Sequence, residues 1–456
     1  MTEQKANPRK LVVEALIKLE EQEGYSNLIL DSMLQKYRLD RRDAALFSTL
    51  FYGVLERKIT LDYIISNHSS KPIRKLSPQV LNILRTAVYQ IRYLERIPDS
   101  AAVDQAVKLT RKFRQTSAGG FVNAVLRAAL RQGDVKWPDE KKEPVRFLSV
   151  RYSVPEELVE LWLGSYGRED TVRMLEAFQQ PRPTYVRANT FKVTAQQLVE
   201  QLRQDGIEAK EVPLVPGAVE LKMGGSVERL KAFEEGLFHV QDLASQLCCM
   251  VVDPQRGETV VDVCAAPGGK AFTLAERMQN EGMVYAFDLH EHRVKLMQNG
   301  AERLGLTHVK TAVRDANTPD QTGILADRVL CDVPCSGLGV IGRKPEIRYK
   351  SLKFLENLPN LQYNILSFSC QMVKPGGKLV YSTCTLHPAE NEQVVERFLK
   401  EHDEFSLEPV KIPSSMVREQ DAGKGMATLM PHRSGSDGFF VACFVKKTHG
   451  GVHAKN

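Results

Sequence analysis

Residues 258–279 read ETVVDVCAAPGGKAFTLAERMQ. The apolar, β-prone half, ETVVDVCAA, is a strand, and GGKAFTLAERMQ carries the three- and four-residue apolar spacing of a helix. Gly268 and Gly269 fall between them, where backbone can approach a ligand that a Cβ would obstruct. A plain tight turn would account for the pair equally well. The spacing is not G-x-G-x-x-G, so the dinucleotide fingerprint is not met and a nicotinamide-dependent dehydrogenase is disfavoured.

The same alternation continues downstream. GMVYAFDL (282–289), VKTAVRDA (309–316), DRVLCDVP (327–334) and GGKLVYSTC (376–384) read as strands. The segment EHRVKLMQNGAERLGL (291–306) reads as a helix, and a long helix is expected over about 352–373. Near-continuous Val, Ile, Leu and Tyr runs fit parallel strands covered on both faces. DGFFVACFVKK (437–447) is expected as a final antiparallel strand at one edge. The region from about 236 is therefore α/β. Residues 1–140 are instead a series of amphipathic helices, beginning with PRKLVVEALIKLEE and including SPQVLNILRTAVYQIRYLERI behind a Ser-Pro start. A polar linker, GDVKWPDEKKEP, ends them. Residues 141–235 mix helical and strand-like stretches, including the strands PTYVRANTFKV and VELKMGG, and suggest a small α+β module. The domains expected are 1–140, 141–235 and 236–448, with a flexible tail at 449–456.

At 456 residues the chain is too long for one core, and its 43% hydrophobic and 26% charged composition is that of an ordinary globular protein. No apolar run approaches the roughly 18 residues of a membrane helix, and the N-terminus has no signal-peptide core, so a cytoplasmic protein is expected. Eight cysteines then read as reduced thiols. Cys331 and Cys335 have the spacing of a zinc half-site, but no second Cys/His pair accompanies them, and no metal is expected. Residues 1–140 hold 23 Lys and Arg against 16 Asp and Glu, a surplus that exceeds the +6 of the whole chain. That surplus is either a polyanion-binding face or a solvated helical surface.

Four successive strands end in Asp262, Asp288, Asp315 and Asp332. A single Asp at such a place is commonly a helix cap. Four in succession suit a ligand with a ribose, an adenine amine and an ammonium group and no pyrophosphate, which is S-adenosylmethionine. Asp288 is placed to accept ribose hydroxyls, and Asp332 to face the ammonium group or a substrate base. Two cysteines, Cys335 in DVPCSG and Cys384 in YSTCTLHPAEN (381–391), end neighbouring strands. Either is a small buried side chain or a nucleophile. A methyl donor beside two thiols points to a carbon that needs activation, such as cytosine C5, which becomes nucleophilic once a thiolate adds to C6.

The motifs DVCAAPGGK, AFDL, VRDAN, DVPCSGLG and YSTCTLHPAENEQVV, in this order, resemble those of the RNA 5-methylcytosine methyltransferases. NPRKLVVEALIKLEEQEGYSNLIL and GGFVNAVLR resemble a NusB-type RNA-binding domain, a pairing similar to that of the bacterial 16S rRNA enzymes of the family. The resemblance covers nearly the whole chain. It implies a Rossmann-like S-adenosylmethionine domain behind a NusB-like all-α domain and a small α+β module. It also implies methyl transfer to C5 of a specific cytosine in 16S rRNA or a small-subunit assembly intermediate, by a monomer that contacts no membrane. Position by position, Cys264, Ala265, Ala266, Pro267, Gly268, Gly269 and Lys270 would wrap the methionine end of the cofactor, Asp288 would hold the ribose and Asp315 the adenine side. Asp332 would hold the cofactor or the cytosine N3 edge, Cys384 would be the nucleophile and Cys335 would assist product release. DNA cytosine methyltransferases use the Pro-Cys thiol as nucleophile, so the assignment of Cys384 rests on the resemblance. Lys270 would aid cytosine activation, or else be a surface lysine at a helix start. In VIGRKPEIRY, Gly342 replaces a basic residue expected from relatives, which leaves an RNA or positioning contact there in doubt; His432 and Asp437 would shape the substrate groove or simply serve a turn. Transfer-RNA methylation and a noncatalytic RNA-binding role are the competing readings.

Overall fold

The computed structural model describes residues 6–22, 24–223 and 227–448. The tail 449–456 and the two glycines that close VELKMGG lie outside the described residues. The chain divides into two units.

The first unit comprises the chain to Gln179 together with Ile341–Lys350. Its helices are α1 (Pro8–Gln22), α2 (Ser26–Tyr37), α3 (Arg41–Glu56), α4 (Lys58–His68), α5 (Pro78–Tyr93), α6 (Asp99–Lys112), α7 (Gly119–Gln132), α8 (Pro144–Tyr152) and α9 (Glu156–Phe178). Pro78 occupies the first turn of α5 and Ser77 accepts the Val80 amide, as the Ser-Pro start requires. The apolar stripes of α1 to α7 meet in one core that includes Leu16, Phe47, Phe51, Ile64, Leu84 and Leu126. Helix α9 is broken at Gly167, whose φ of 74° an L-residue adopts only with strain. The segment 341–350 is built into this unit. Arg348, 1% exposed, donates to the carbonyls of Glu56, Ser153 and Ile341, and Glu346 accepts from the amide and hydroxyl of Ser26. The basic residues around Gly342 lie on the surface of the same unit: Lys344 and Lys350 stand over the exposed Tyr25 ring.

The second unit begins with β1 (Thr184–Ala188), α10 (Ala195–Gln204), β2 (Glu208–Glu211), β3 (Ala218–Lys222), α11 (Lys231–Glu234) and β4 (Phe238–Val240). These strands form an antiparallel sheet in the order β2-β3-β1-β4. The α/β portion follows as α12 (Leu243–Val252), β5 (Thr259–Asp262), α13 (Gly269–Arg277), β6 (Met283–Asp288), α14 (Glu291–Leu304), β7 (Val309–Val313) and β8 (Ala326–Asp332). It closes with α15 (Leu358–Ser369), β9 (Val373–Thr383), α16 (Glu392–Glu401), β10 (Phe405–Leu407), β11 (Met426–Leu429), α17 (Pro431–Ser434) and β12 (Phe439–Lys446). The large sheet runs β10-β12-β9-β8-β5-β6-β7, with β11 also paired to β12. Strands β5 to β9 are mutually parallel, and the order reverses between β8 and β5, the switch point at which open α/β sheets bind ligands.

Two expectations are corrected. The long helix over 352–373 is interrupted: a 3₁₀ turn at Leu352–Leu355 precedes α15, and another at Cys370–Met372 follows it. Pro359 explains the break, because proline fits the first turn of a helix and not its interior. The last strand, β12, is not an edge: β10 and β11 cover its outer side, and Phe439–Phe444 are all buried.

Candidate active site

The parallel strands end along one edge of the sheet, and their order sets out the site residues in a row. Cys384 follows β9, Asp332 ends β8 with Cys335 three residues beyond, Asp262 ends β5 with the glycine turn after it, Asp288 ends β6, and Asp315 lies beyond β7. Gly268 caps α13 with φ at 108°, and a Cβ there would meet the Phe272 ring at 2.3 Å, so only glycine makes this turn.

Lys270, in the first turn of α13, is no surface lysine. Its side chain is 12% exposed, and Nζ donates to Asp332 Oδ2 at 2.7 Å and to Ser245 Oγ at 3.2 Å. Burial alone would depress the ammonium pKa; the surrounding groups, Asp332 foremost, together raise it. Asp332 Oδ1 accepts from Ser382 Oγ at 2.7 Å, so both of its oxygens are engaged. Asp262 is fully buried. Its Oδ1 accepts the Cys264 amide at 3.4 Å, and Oδ2 has no hydrogen-bond partner among the described residues. Desolvation first, then repulsion from Asp332, push its pKa up to about 8. Asp288 is buried and accepts the His290 amide at 3.0 Å. Asp315 is exposed and accepts the amide of Asn317 in its own loop, so it is not gathered into this buried group.

The two thiols meet. Cys335 Sγ and Cys384 Sγ are 3.3 Å apart. Cys331, four residues earlier, is buried in the sheet core. The contact between the two strand-end loops is held from several sides. The Gly339 amide donates to the Cys384 carbonyl at 3.0 Å, and the Gly438 amide to the Gly339 carbonyl at 2.8 Å. A Cβ on Gly339 would stand 2.0 Å from the Gly438 oxygen and 2.8 Å from that of Cys384. The buried Glu390 carboxylate accepts from the Ser336 amide (2.9 Å) and hydroxyl (2.5 Å), from Gln362 Nε2 (2.9 Å) and from Thr385 Oγ1 (3.4 Å). Asn391 accepts from Thr383 Oγ1 and donates to the Thr385 carbonyl. Burial and, above all, the hydrogen bond with Cys384 raise the Cys335 pKa well above that of a free thiol. The loop carrying His432 and Asp437 rests on the small sheet, where Arg182 and Tyr185 donate to the carbonyls of Ser436 and Gly435.

The sequence reading did not single out Ser245, Ser382, Gln362, Glu390 or Asn391. Glu390 and Asn391 stood in the quoted HPAEN, six and seven residues past Cys384, and an acid so close to a strand end was the available signal. For Ser245 the sequence offers none.

A family model described as 16S rRNA methyltransferase RsmB/F matches residues 249–445, a NusB family model 6–131, and an RsmF/B-like ferredoxin-like domain model 154–228. The chain is 39% identical over 453 residues to the "Probable ribosomal RNA small subunit methyltransferase B" of Bacillus subtilis (strain 168), covering 97% of this chain and 99% of that one. The chain belongs to the 16S rRNA methyltransferase RsmB/F family. It is 30% identical to "Ribosomal RNA small subunit methyltransferase B" of Klebsiella pneumoniae (strain 342), across 97% and 99% of the two chains. A solved structure titled "Crystal Structure of PH0851" matches with a TM-score of 0.79 at 28% identity, covering 97% of this chain and 99% of that one. As an RsmB/F member this chain is an S-adenosylmethionine-dependent rRNA methyltransferase, with a NusB domain, a ferredoxin-like domain and a methyltransferase domain. The residues fit that donor: a buried ribose-type carboxylate at Asp288, and at Asp262 a buried acceptor oxygen that a cationic group can answer. No helix among the described residues is long and apolar enough to cross a membrane.

Proposed function

We propose that this chain methylates C5 of one specific cytosine in 16S rRNA, free or in an assembling small subunit, through a covalent bond between Cys384 and cytosine C6. The observation that carries the reading is the 3.3 Å approach of two thiols, one after each of the neighbouring strands β8 and β9 that also carry Asp332, the partner of Lys270, and Ser382. Bound S-adenosylmethionine supplies an electrophilic methyl group. Residues 264–270 would hold its methionine end, with Asp262 Oδ2 available to the cationic portion, Asp288 would take the ribose and Asp315 would meet the adenine from the rim.

Cys384, as thiolate, adds to C6, and the C5–C6 π pair makes C5 a carbon nucleophile while charge spreads toward N3. The Lys270 ammonium would offset that negative charge, with Asp332 holding it in position. Once C5 carries the methyl group, its proton passes to water, the C5–C6 double bond re-forms and Cys384 leaves as thiolate. Cys335, whose Sγ lies 3.3 Å from that of Cys384, would donate a hydrogen bond to the departing sulfur; the division of roles between the two thiols follows the family resemblance. The target base must be unstacked to reach the site, which is least costly in a loop. The basic N-terminal helices would hold RNA phosphates.

Wild type, Cys335→Ala and Cys384→Ala, incubated with 16S rRNA and labelled donor, separate the roles on a denaturing gel. Cys335→Ala is expected to accumulate a covalent protein–RNA species, and Cys384→Ala to lose both adduct and methylation. An adduct trapped by Cys384→Ala would reverse the roles. Methylation by wild type at a position other than cytosine C5 would sink the reading.

A further inference from the structure

At the opposite end of β9 from Cys384, on the order of 30 Å along the strand, three donor groups converge that the methyl-transfer site does not use. Cys370 follows α15, His402 caps α16, and Glu404 precedes β10. Among the described residues this is the one His/Cys/Asp/Glu group whose ligating atoms all lie within 4.8 Å of one another. Cys370 Sγ is 3.7 Å and Glu404 Oε1 3.4 Å from the same ring nitrogen, His402 Nδ1. The other nitrogen, Nε2, lies 2.9 Å from Ser367 Oγ. A proton relay needs thiol and carboxylate on opposite nitrogens, so this is not a nucleophile triad. With Nε2–H donating to Ser367, Nδ1 turns its lone pair toward the thiol and the carboxylate. A hydrogen-bonded partner on the far nitrogen is the usual orienting device of a metal-bound histidine.

We propose that Cys370, His402 and Glu404 form a binding site for a thiophilic divalent cation of the zinc type, stapling the ends of α15 and α16 to β10. Tetrahedral coordination at about 2.3 Å to sulfur and about 2.0–2.2 Å to nitrogen and oxygen separates S from N by about 3.5 Å and N from O by about 3.4 Å. The observed separations agree within a few tenths of an ångström. Cys370 is 4% exposed, while the Glu404 side chain is 37% exposed, which leaves an entry path and room for water as fourth ligand. Lys446 also faces the group, but its Nζ donates to the carbonyls of Cys370 and Val373. Binding exchanges the Cys370 S–H bond for a sulfur–metal bond and releases that proton to solvent, so affinity rises with pH. The competing state is an imidazolium donating Nδ1–H to Glu404.

The test uses the full chain carrying Cys335→Ala and Cys384→Ala, so that those thiols chelate nothing, and titrates it with Co²⁺. One equivalent is expected to produce a near-ultraviolet sulfur-to-cobalt band with tetrahedral d–d absorption, which Zn²⁺ abolishes by displacement. Adding His402→Gln should weaken binding about tenfold or more, and adding Cys370→Ser should remove the sulfur band, with circular dichroism verifying the fold. Absence of a band at one equivalent, or a band that survives in both variants, overturns the site. If His402→Gln does not fold, Cys370→Ser alone decides.

Discussion

At the end of β5 the Asp262 carboxylate is fully buried, and the neighbouring Lys270 ammonium bonds to Asp332 instead of to it. Folding therefore raises its pKa from the ordinary 3.8 to about 8. Between those values the folded chain holds a proton that the unfolded chain releases, so this residue lowers stability as pH rises through the window, by at most on the order of 5 kcal/mol. Denaturant midpoints measured at pH 6 and pH 9 should fall for the wild type and fall less for Asp262→Asn. Equal losses in the two proteins would show that Asp262 does not ionise in this range. The sequence made the row of strand-end aspartates legible, since each closes an apolar run. It did not distinguish their states: Asp262 buried and unpaired, Asp332 paired, Asp315 exposed. Those follow from which strands are neighbours, a nonlocal fact.

Among elements, the strand-end loops after β8 and β9 depend on the short 3₁₀ turn Pro388–Glu390. Glu390 reaches back to Ser336, Thr385 and Gln362, and its own carbonyl accepts from Tyr381 OH at 2.5 Å, so one buried residue sets the distance between the two cysteine loops. Glu390→Ala would take the acceptor from the part-buried Ser336 amide and break its bonds to Ser336 Oγ, Thr385 Oγ1 and Gln362, costing about 2–4 kcal/mol, and should lower the methylation rate more than substrate affinity. Glu390→Gln keeps an acceptor for Ser336 N and Gln362, and the two hydroxyls can turn to accept from its amide, so it should retain most stability and rate. Thermal unfolding and single-turnover methylation of both variants check this; equal damage from Gln and Ala would mean that charge, not connectivity, is the requirement. The long strands and amphipathic helices were legible because their periodicity is local. β10 and β11 were not, because EFSL and MATL are too short to carry a pattern until β12 pairs with them.

For the whole molecule, the decisive feature is the excursion at Ile341–Lys350, which leaves the methyltransferase unit after Val340 and returns at Ser351. Nothing local in IGRKPEIRYK marks it as part of a helical core; in sequence its basic residues read as RNA contacts. Its partners, Ser26, Leu55, Glu56 and Ser153, lie some 200 to 300 residues away, and such nonlocal partners leave no periodic trace. Tyr349 adds a hydrogen bond to the Leu55 carbonyl at 2.6 Å. Arg348→Ala would strip the carbonyls of Glu56, Ser153 and Ile341 of a buried cationic donor, at a cost of about 3 kcal/mol. Because the loss falls within one unit, it should appear locally. Hydrogen exchange is expected to quicken in α3, α4 and α8, while β5 and β8 keep their protection. Were β5 and β8 to loosen equally, the excursion would be acting through global stability; were α3 and α4 unchanged, Arg348 would contribute nothing to the helical unit, and its basic neighbours would again be best read as contacts to RNA.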